Sequence, residues 1–220
     1  MVGEKKAKAT HVWARDPNDY YREPNWCSKR LFEVEKFDGD IIDPFCGSGQ
    51  IVIEARYAGY RAFGSDLVRR AGFNGDVAPF PGSWSVADNI VTNPPFRASK
   101  IKALISEALE VSLRKTAMLM PATWMCGART GAWLETTSLY RVYFLGPRPS
   151  MPPGELVDQG FVPGGGRADF AWYVWLRGYC GEPSLRWLRR DVQIGHQTAG
   201  LTKNCRSGDD LGIPGDEALS

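Results

Sequence analysis

The run Asn93-Pro94-Pro95-Phe96 follows a short apolar segment at residues 89–92 and has side chains suited to chemistry on an amine. Its two prolines fix the backbone and have no N–H to donate, which leaves carbonyl oxygens beside the Asn93 amide. Such acceptors can take the hydrogens of a planar amine and turn its nitrogen lone pair toward an electrophile. The Phe96 ring offers a flat face for a flipped nucleobase. The alternative is a proline turn that ends a strand beside a core phenylalanine.

A glycine-containing turn follows the apolar segment at residues 40–42 and opens a helical pattern. It consists of Asp43, Pro44, Phe45, Cys46, Gly47, Ser48 and Gly49. The glycines let the backbone turn tightly and approach a ligand, and the free N–H groups of a helix start face that ligand. No GK[ST] sequence follows, which excludes a Walker A loop, and Val52 occupies the third glycine position of a dinucleotide fingerprint.

Asp66 ends the next apolar segment, 17 residues after Gly49, and Leu67 follows it. An acidic side chain at this place can accept hydrogen bonds from both ribose hydroxyls of a nucleoside. Taken alone, Asp66 is equally well interpreted as the N-cap of a helix. Its position after the glycine turn favours ribose binding.

Strand and helix patterns alternate along the chain. Apolar or β-branched segments predict strands at residues 40–43, 61–64, 89–92, 116–120, 140–145 and 170–176. Apolar residues at helical spacing predict helices at 27–36, 49–57 and 99–114. This alternation indicates an α/β fold with a mostly parallel sheet, helices on both faces, and ligands at the carboxyl ends of the strands.

Length and composition indicate one globular domain, which we place at residues 13–195. We expect flexible ends at 1–12 and 196–220. The formal net charge of +2 neither requires nor excludes a nucleic-acid partner. The five cysteines are widely spaced, so we expect neither a disulfide framework nor a metal site. No long apolar stretch or signal peptide is present, so we expect no membrane partner and a cytoplasmic location.

Together these residues resemble the class I, Rossmann-like S-adenosylmethionine-dependent methyltransferases, and more narrowly the DNA adenine-N6 methyltransferases of phages and prophages. The resemblance implies that residues 43–49 hold the methionine part of the cofactor and that Asp66 binds its ribose. It also implies that Asp76 lies near the adenine of the cofactor and that residues 93–96 are catalytic. The segment at 20–26, with Tyr21, Pro24 and Trp26, looks like a further cofactor motif, and residues 168–175 look like closing strands of small phage-type members.

A separate target-recognition domain is missing from the pattern. Residues 121–167 are the best candidate for a small insertion with that role, because they contain Trp124, Arg129, Arg141 and Arg148 and three consecutive glycines. An ordinary surface insertion is an equal alternative.

The resemblance implies transfer of a methyl group from S-adenosylmethionine to the N6 amine of adenine in DNA. The enzyme would supply alignment and hydrogen bonds, and the adenine would be flipped out or unpaired. Adenine in RNA and the side-chain amide of glutamine in a protein are alternative acceptors. A catalytically silent binding module with the same fold is a further alternative. The oligomeric state is left open.

Overall fold

The computed structural model describes residues 16, 19–70, 72–73, 75–80, 86–97 and 99–190. The predicted flexible ends at 1–12 and 196–220 lie outside these residues. Within the described part of the chain, no helix is long and apolar enough to span a membrane.

Eight strands and five α-helices make up the described elements. The helices are α1 (Asn25–Val34), α2 (Gln50–Tyr57), α3 (Ile101–Val111), α4 (Ala128–Leu134) and α5 (Gly154–Asp158), with a 3-10 helix at Ala122–Cys126. The strands are β1 (Ile41–Asp43), β2 (Ala62–Asp66), β3 (Asp76–Val77), β4 (Ala87–Thr92), β5 (Ser112–Pro121), β6 (Leu139–Gly146), β7 (Phe170–Leu176) and β8 (Ser184–Arg189).

All eight strands form one sheet in the order β3-β2-β1-β4-β5-β7-β6-β8. Strand β7 runs antiparallel to β5 and β6, and the other neighbouring pairs are parallel. The prediction of a mostly parallel α/β sheet is therefore confirmed. Since β1, β2 and β4 are neighbours, their carboxyl ends meet at one edge of the sheet, as expected for a ligand site.

Two apolar cores lie on opposite faces of the sheet. Consecutive residues of β1 point to opposite faces of the sheet. Ile41 packs in the core with α1 and α2, whereas Ile42 packs in the core with α3. Helices therefore cover both faces, which explains why β1 is buried throughout.

A buried indole joins the first helix to the sheet. Trp172 of β7 is fully buried, and its Nε1 donates a hydrogen bond of 3.0 Å to the carbonyl oxygen of Cys27 in α1. This bond satisfies a polar atom that would be costly to bury alone. It also fixes the helix that follows the N-terminal segment 19–24, which contributes to the candidate site described below.

The predicted helix at residues 99–114 is too long, because α3 ends at Val111 and β5 begins at Ser112. Leu113 extends the helical spacing in sequence, yet its side chain is 49% exposed. Pairing of Ser112 with Ala87 of β4 starts the strand earlier than the apolar pattern at 116–120 indicates. The boundary between α3 and β5 is therefore set by hydrogen bonds within the sheet.

Residues 121–167 are not separate from the sheet, because they contain β6. Arg141 lies within β6, where it donates a 3.0 Å hydrogen bond to the buried carboxylate of Glu35. Trp124, by contrast, directly follows β5 at the carboxyl edge. Any target-recognition surface in this range is therefore restricted to the segments before and after β6.

Candidate active site

A cavity of about 310 Å³ opens at the carboxyl ends of β1, β2 and β4. Its volume lies at the lower end of the range of small-molecule sites in proteins. The predicted site residues that line it are Tyr21, Asp43, Phe45, Cys46, Gly47, Asp66, Leu67, Asn93 and Pro95. The fold thus brings the glycine turn at 43–49, Asp66 and the motif at 93–96 to the same edge of the sheet.

The glycine turn requires the backbone freedom of glycine at two positions. Gly47 and Gly49 have φ values of +51° and +80°, in the left-handed region that other residues rarely adopt. Gly49 is also the N-cap of α2, so the turn leads directly into that helix. A Cβ atom at Gly47 would lie 2.6 Å from the ring of Tyr20, which covers the turn closely.

The carboxylate of Asp66 ties β2 to this turn. Its Oδ2 accepts a 2.8 Å hydrogen bond from the backbone N–H of Gly47, and its Oδ1 accepts one of 3.1 Å from Val68. Asp66 is partly buried and also lines the cavity. A carboxylate so placed has acceptor capacity for a ligand hydroxyl beside the turn.

Asn93 follows β4 and is held by the N-terminal segment. Its Nδ2 donates to the carbonyl oxygen of Tyr21 at 3.0 Å and to Oε2 of Glu23 at 2.9 Å. Both amide hydrogens therefore have acceptors, and the Oδ1 atom is left to accept hydrogen bonds at the cavity wall. This is the arrangement needed to bind a planar amine.

Two carboxyl groups are buried beside this amide. Asp43 is 1% exposed, and burial raises its pKa to about 8, although Thr92 Oγ1 donates a 2.6 Å hydrogen bond to its Oδ1. Glu23 is 6% exposed, and burial raises its pKa to about 7 despite the bond from Asn93. The interior of the site is thus rich in acceptors and acidic.

The unfolding free energy is expected to fall as pH rises from 5 to 8, by up to about 6 kcal/mol at about 1.4 kcal/mol per proton and pH unit. Unfolded carboxyl groups release their protons near pH 4, whereas folded Asp43 and Glu23 keep theirs to about pH 8 and 7. The folded state therefore binds more protons in this interval. Chemical denaturation at several pH values measures the slope of the unfolding free energy against pH. Asp43→Asn should flatten it, and an unchanged slope would contradict the assignment.

Seven predicted site residues do not line the cavity: Pro24, Trp26, Pro44, Gly49, Asp76, Pro94 and Phe96. Asp76 is exposed on β3, a two-residue strand at the sheet edge, because β3 pairs at Ser65 and Asp66 rather than over the turn.

Phe96 packs edge to face against Trp124, with ring centroids 6.3 Å apart. Its ring therefore forms part of an aromatic cluster with Trp124, which also contacts Trp133 and Tyr173.

A second groove of about 540 Å³ adjoins the cavity and shares Arg22 and Glu23 with it. Pro24 and Trp26 lie here, together with Arg148, Arg190 and two glycines of the loop at 164–165. Sequence reasoning singled out Arg148 and this glycine loop but did not connect them with the N-terminal segment.

Several lining residues were not predicted from the sequence. They include Arg22, Arg70 and Arg97, which place three guanidinium groups at the cavity. Arg22 donates to Asp158 and Gln50, each at 3.3 Å, and Arg70 lies 4.0 Å from the ring centroid of Tyr20. Arg22 lies within the predicted motif at 20–26 and Arg70 is adjacent to Arg69, but neither was predicted individually, and no sequence pattern signals Arg97.

No family model matches the chain, and no curated protein matches it in sequence. Solved structures do match. The EcoKI M protein of a type I restriction enzyme is 15% identical with a TM-score of 0.51, over 83% of this chain and 51% of that one. A modification subunit of a provisionally assigned type I restriction enzyme from Vibrio vulnificus YJ016 is 17% identical with a TM-score of 0.47, over 80% and 48%.

A provisionally assigned RNA methyltransferase from Pyrococcus horikoshii is 17% identical with a TM-score of 0.49, over 71% of this chain and 86% of that one. The chain spans about half the length of the two restriction-enzyme proteins. At 15% identity, the similarity to the EcoKI M protein shows a common fold.

Proposed function

We propose that this chain, which has the class I methyltransferase fold, transfers a methyl group from S-adenosylmethionine to the N6 amine of adenine in DNA. The observation that carries the proposal is the geometry of Asn93. Both hydrogens of its amide are bound by Tyr21 and Glu23, and its oxygen is left for an amine at the end of β4.

The residues around the cavity fit the cofactor. S-adenosylmethionine has a cationic sulfonium and an ammonium group, and a cation bound beside the buried carboxyl of Asp43 in the cavity wall would favour the ionised form of that carboxyl. The turn at Gly47 admits a ligand close to the backbone, and Asp66 has acceptor capacity for ribose hydroxyls. When bound, the cofactor supplies the electrophilic methyl group.

The protein's own contribution is alignment of the amine. Asn93 Oδ1 at the cavity wall accepts one of its hydrogens, so that its lone pair can point into the cavity, and the carbonyl of Pro94, which is buried and does not line the cavity, would have to turn toward the site to accept the other. These acceptors favour the developing positive charge on the nitrogen, and Asn93 Oδ1 is fixed before the reaction begins. The amine proton released after transfer passes through these acceptors to solvent, so the scheme requires no strong base.

Features beside the cavity support a nucleic-acid substrate over a protein glutamine. The adjoining groove contains Arg190, whose guanidinium group suits a phosphate, and Trp26, whose ring suits a base, together with Arg22 and Arg148, which pair with Asp158 and Asp169. The preference for DNA over RNA rests on the sequence resemblance described above.

Transfer of labelled methyl groups to matched polymers tests the substrate class. We expect label in single- or double-stranded DNA, and much less in RNA of the same sequence or in a glutamine-containing peptide. Label in RNA or peptide alone would overturn the DNA assignment. Cofactor binding without transfer to any of these polymers would favour a silent binding module.

Asp66→Ala is expected to weaken binding of S-adenosylmethionine by about 1.5–3 kcal/mol, as for lost hydrogen bonds to a charged group. Titration calorimetry measures this change without any nucleic acid. Asp38→Ala removes an exposed carboxylate away from the cavity and serves as the control. Equal affinity of the Asp66 variant and the control would contradict the ribose assignment.

A further inference from the structure

Glu23 is a cavity residue that binds the Asn93 amide, and the scheme above gives no role to its ionisation state. It precedes α1, its side chain is 6% exposed, and it contributes to the walls of both the cavity and the adjoining groove. Its Oε2 lies 2.9 Å from Nδ2 of Asn93, across 70 residues of sequence. A buried acid in contact with the proposed catalytic amide indicates a functional relation between them.

The orientation of the Asn93 amide is a chemical requirement of the proposed function. An asparagine side chain has an oxygen that accepts and a nitrogen that donates, and a half-turn about its last bond exchanges them. Only one orientation presents the oxygen to the hydrogens of an acceptor amine. The other presents N–H groups, which repel them.

We propose that ionised Glu23 is a positioning residue that locks the Asn93 amide with its oxygen toward the acceptor amine. The inference rests on the proposed function for its purpose, but the coupling between the two side chains is independent of the substrate.

The lock follows from donor and acceptor chemistry. A carboxylate has no hydrogen to donate, so only the NH₂ group of Asn93 can face it, and the Tyr21 carbonyl imposes the same choice on the second hydrogen. A protonated Glu23 can instead donate its O–H to the amide oxygen. The Tyr21 carbonyl alone then favours the productive orientation, which therefore loses population.

Burial of Glu23 places this change in the neutral range of pH. Burial raises the pKa of Glu23 to about 7, and the neighbouring Arg22 counteracts it. Asp43 of β1 and Cys27 of α1 are the other titratable groups that interact with Glu23. Since the carboxylate is the locking form, the productive orientation gains population as pH rises through this range and loses it on acidification.

Nuclear magnetic resonance of the whole protein tests the coupling without substrate. The side-chain amide signals of Asn93 are identified by their absence in Asn93→Ala. We expect them to titrate with a midpoint near neutral pH in the natural protein and to stay constant in Glu23→Gln. Glu33→Gln replaces an exposed carboxyl on α1 that pairs with Arg30, and it should leave the titration unchanged.

Kinetics provide the second readout. Glu23→Gln should retain cofactor binding but lower kcat by about 10- to 100-fold, the range expected for a hydrogen bond to a charged group. It should also remove an acidic limb from the pH profile of kcat/KM, and Glu23→Asp, which keeps a carboxylate, should restore that limb.

The positioning role of Glu23 and the proposed methylation of DNA can be refuted separately. The positioning role would be overturned if the Asn93 amide signals did not change with pH. It would also be overturned if the pH profile of kcat/KM for Glu23→Gln kept its acidic limb, even if DNA is methylated. A titration that disappears in Glu23→Gln, in a protein that methylates no DNA, would support the coupling and reject the proposed function.

Discussion

Asn93→Ala is expected to lower kcat for methyl transfer by about 100- to 1000-fold, the cost of removing one preorganised group that stabilises developing charge. The variant loses the oxygen that accepts a hydrogen of the amine, and it leaves Glu23 and the Tyr21 carbonyl without their shared donor. Cofactor affinity should be nearly unchanged, because Asn93 is proposed to hold the amine and not the cofactor. Transfer kinetics and calorimetry on one preparation measure both quantities.

Ser106→Ala is a suitable control for that experiment, because Ser106 is exposed on α3, the helix that follows residues 93–96. The control should have normal kcat and normal cofactor affinity. An Asn93 variant with normal turnover would refute its catalytic role. A variant that loses cofactor affinity instead would assign Asn93 to the cofactor side of the cavity.

Glu35→Ala is expected to lower the free energy of unfolding by about 3 kcal/mol, the lower end of the cost of breaking a buried ion pair. Glu35 is 1% exposed and accepts hydrogen bonds from Lys115 Nζ at 2.6 Å, Arg141 at 3.0 Å and the Tyr143 hydroxyl at 2.7 Å. It therefore links the end of α1 to β5 and β6. Removing it takes a shared acceptor from two cations and a phenol in a largely buried place, although Lys115 still donates to the Lys36 carbonyl.

Thermal unfolding should show this as a fall in Tm of roughly 6–12 °C for a chain of this size. Glu33→Ala, which affects an exposed pair with Arg30, should change the stability by less than about 0.5 kcal/mol. Equal stabilities of the two variants would contradict the account of Glu35. Although burial acts to raise the pKa of Glu35, hydrogen bonds from Lys115 and Tyr143 lower it, so its contribution is present above the unfolded pKa and is lost on acidification.

Much of the sheet could be predicted because its strands are short, apolar and bounded by turn residues. The predicted strand at residues 170–176 has the bounds of β7, and β1, β4 and β6 differ from their predictions by one or two residues at an end. Two edge strands were missed for different reasons. β3 has only two residues, and β8 has Leu185 and Trp187 exposed at 52% and 69%, so burial produces little pattern there.

The meeting of Asp43, Asp66 and Asn93 could be predicted from topology alone. Each lies at or just after the end of a parallel strand, and such ends share one edge of the sheet. Glu23 could not be assigned a role in this way. Its contact with Asn93 depends on the path of the N-terminal segment, which is fixed by tertiary contacts such as the bridge between Tyr21 and Pro153.

The role of Asp76 near the adenine of the cofactor stays a prediction. The residue follows β2 at a short distance in sequence, yet it is exposed on the edge strand and does not line the cavity. Local pairing between β2 and β3, which spacing does not specify, determines its place.

Mass spectrometry of nucleosides, from DNA incubated with the protein and isotopically labelled S-adenosylmethionine, tests the central claim most directly. The account predicts labelled N6-methyladenine with the natural protein and its near absence with Asn93→Ala. Label in another nucleoside, or no label in DNA from a protein that binds the cofactor normally, would contradict it.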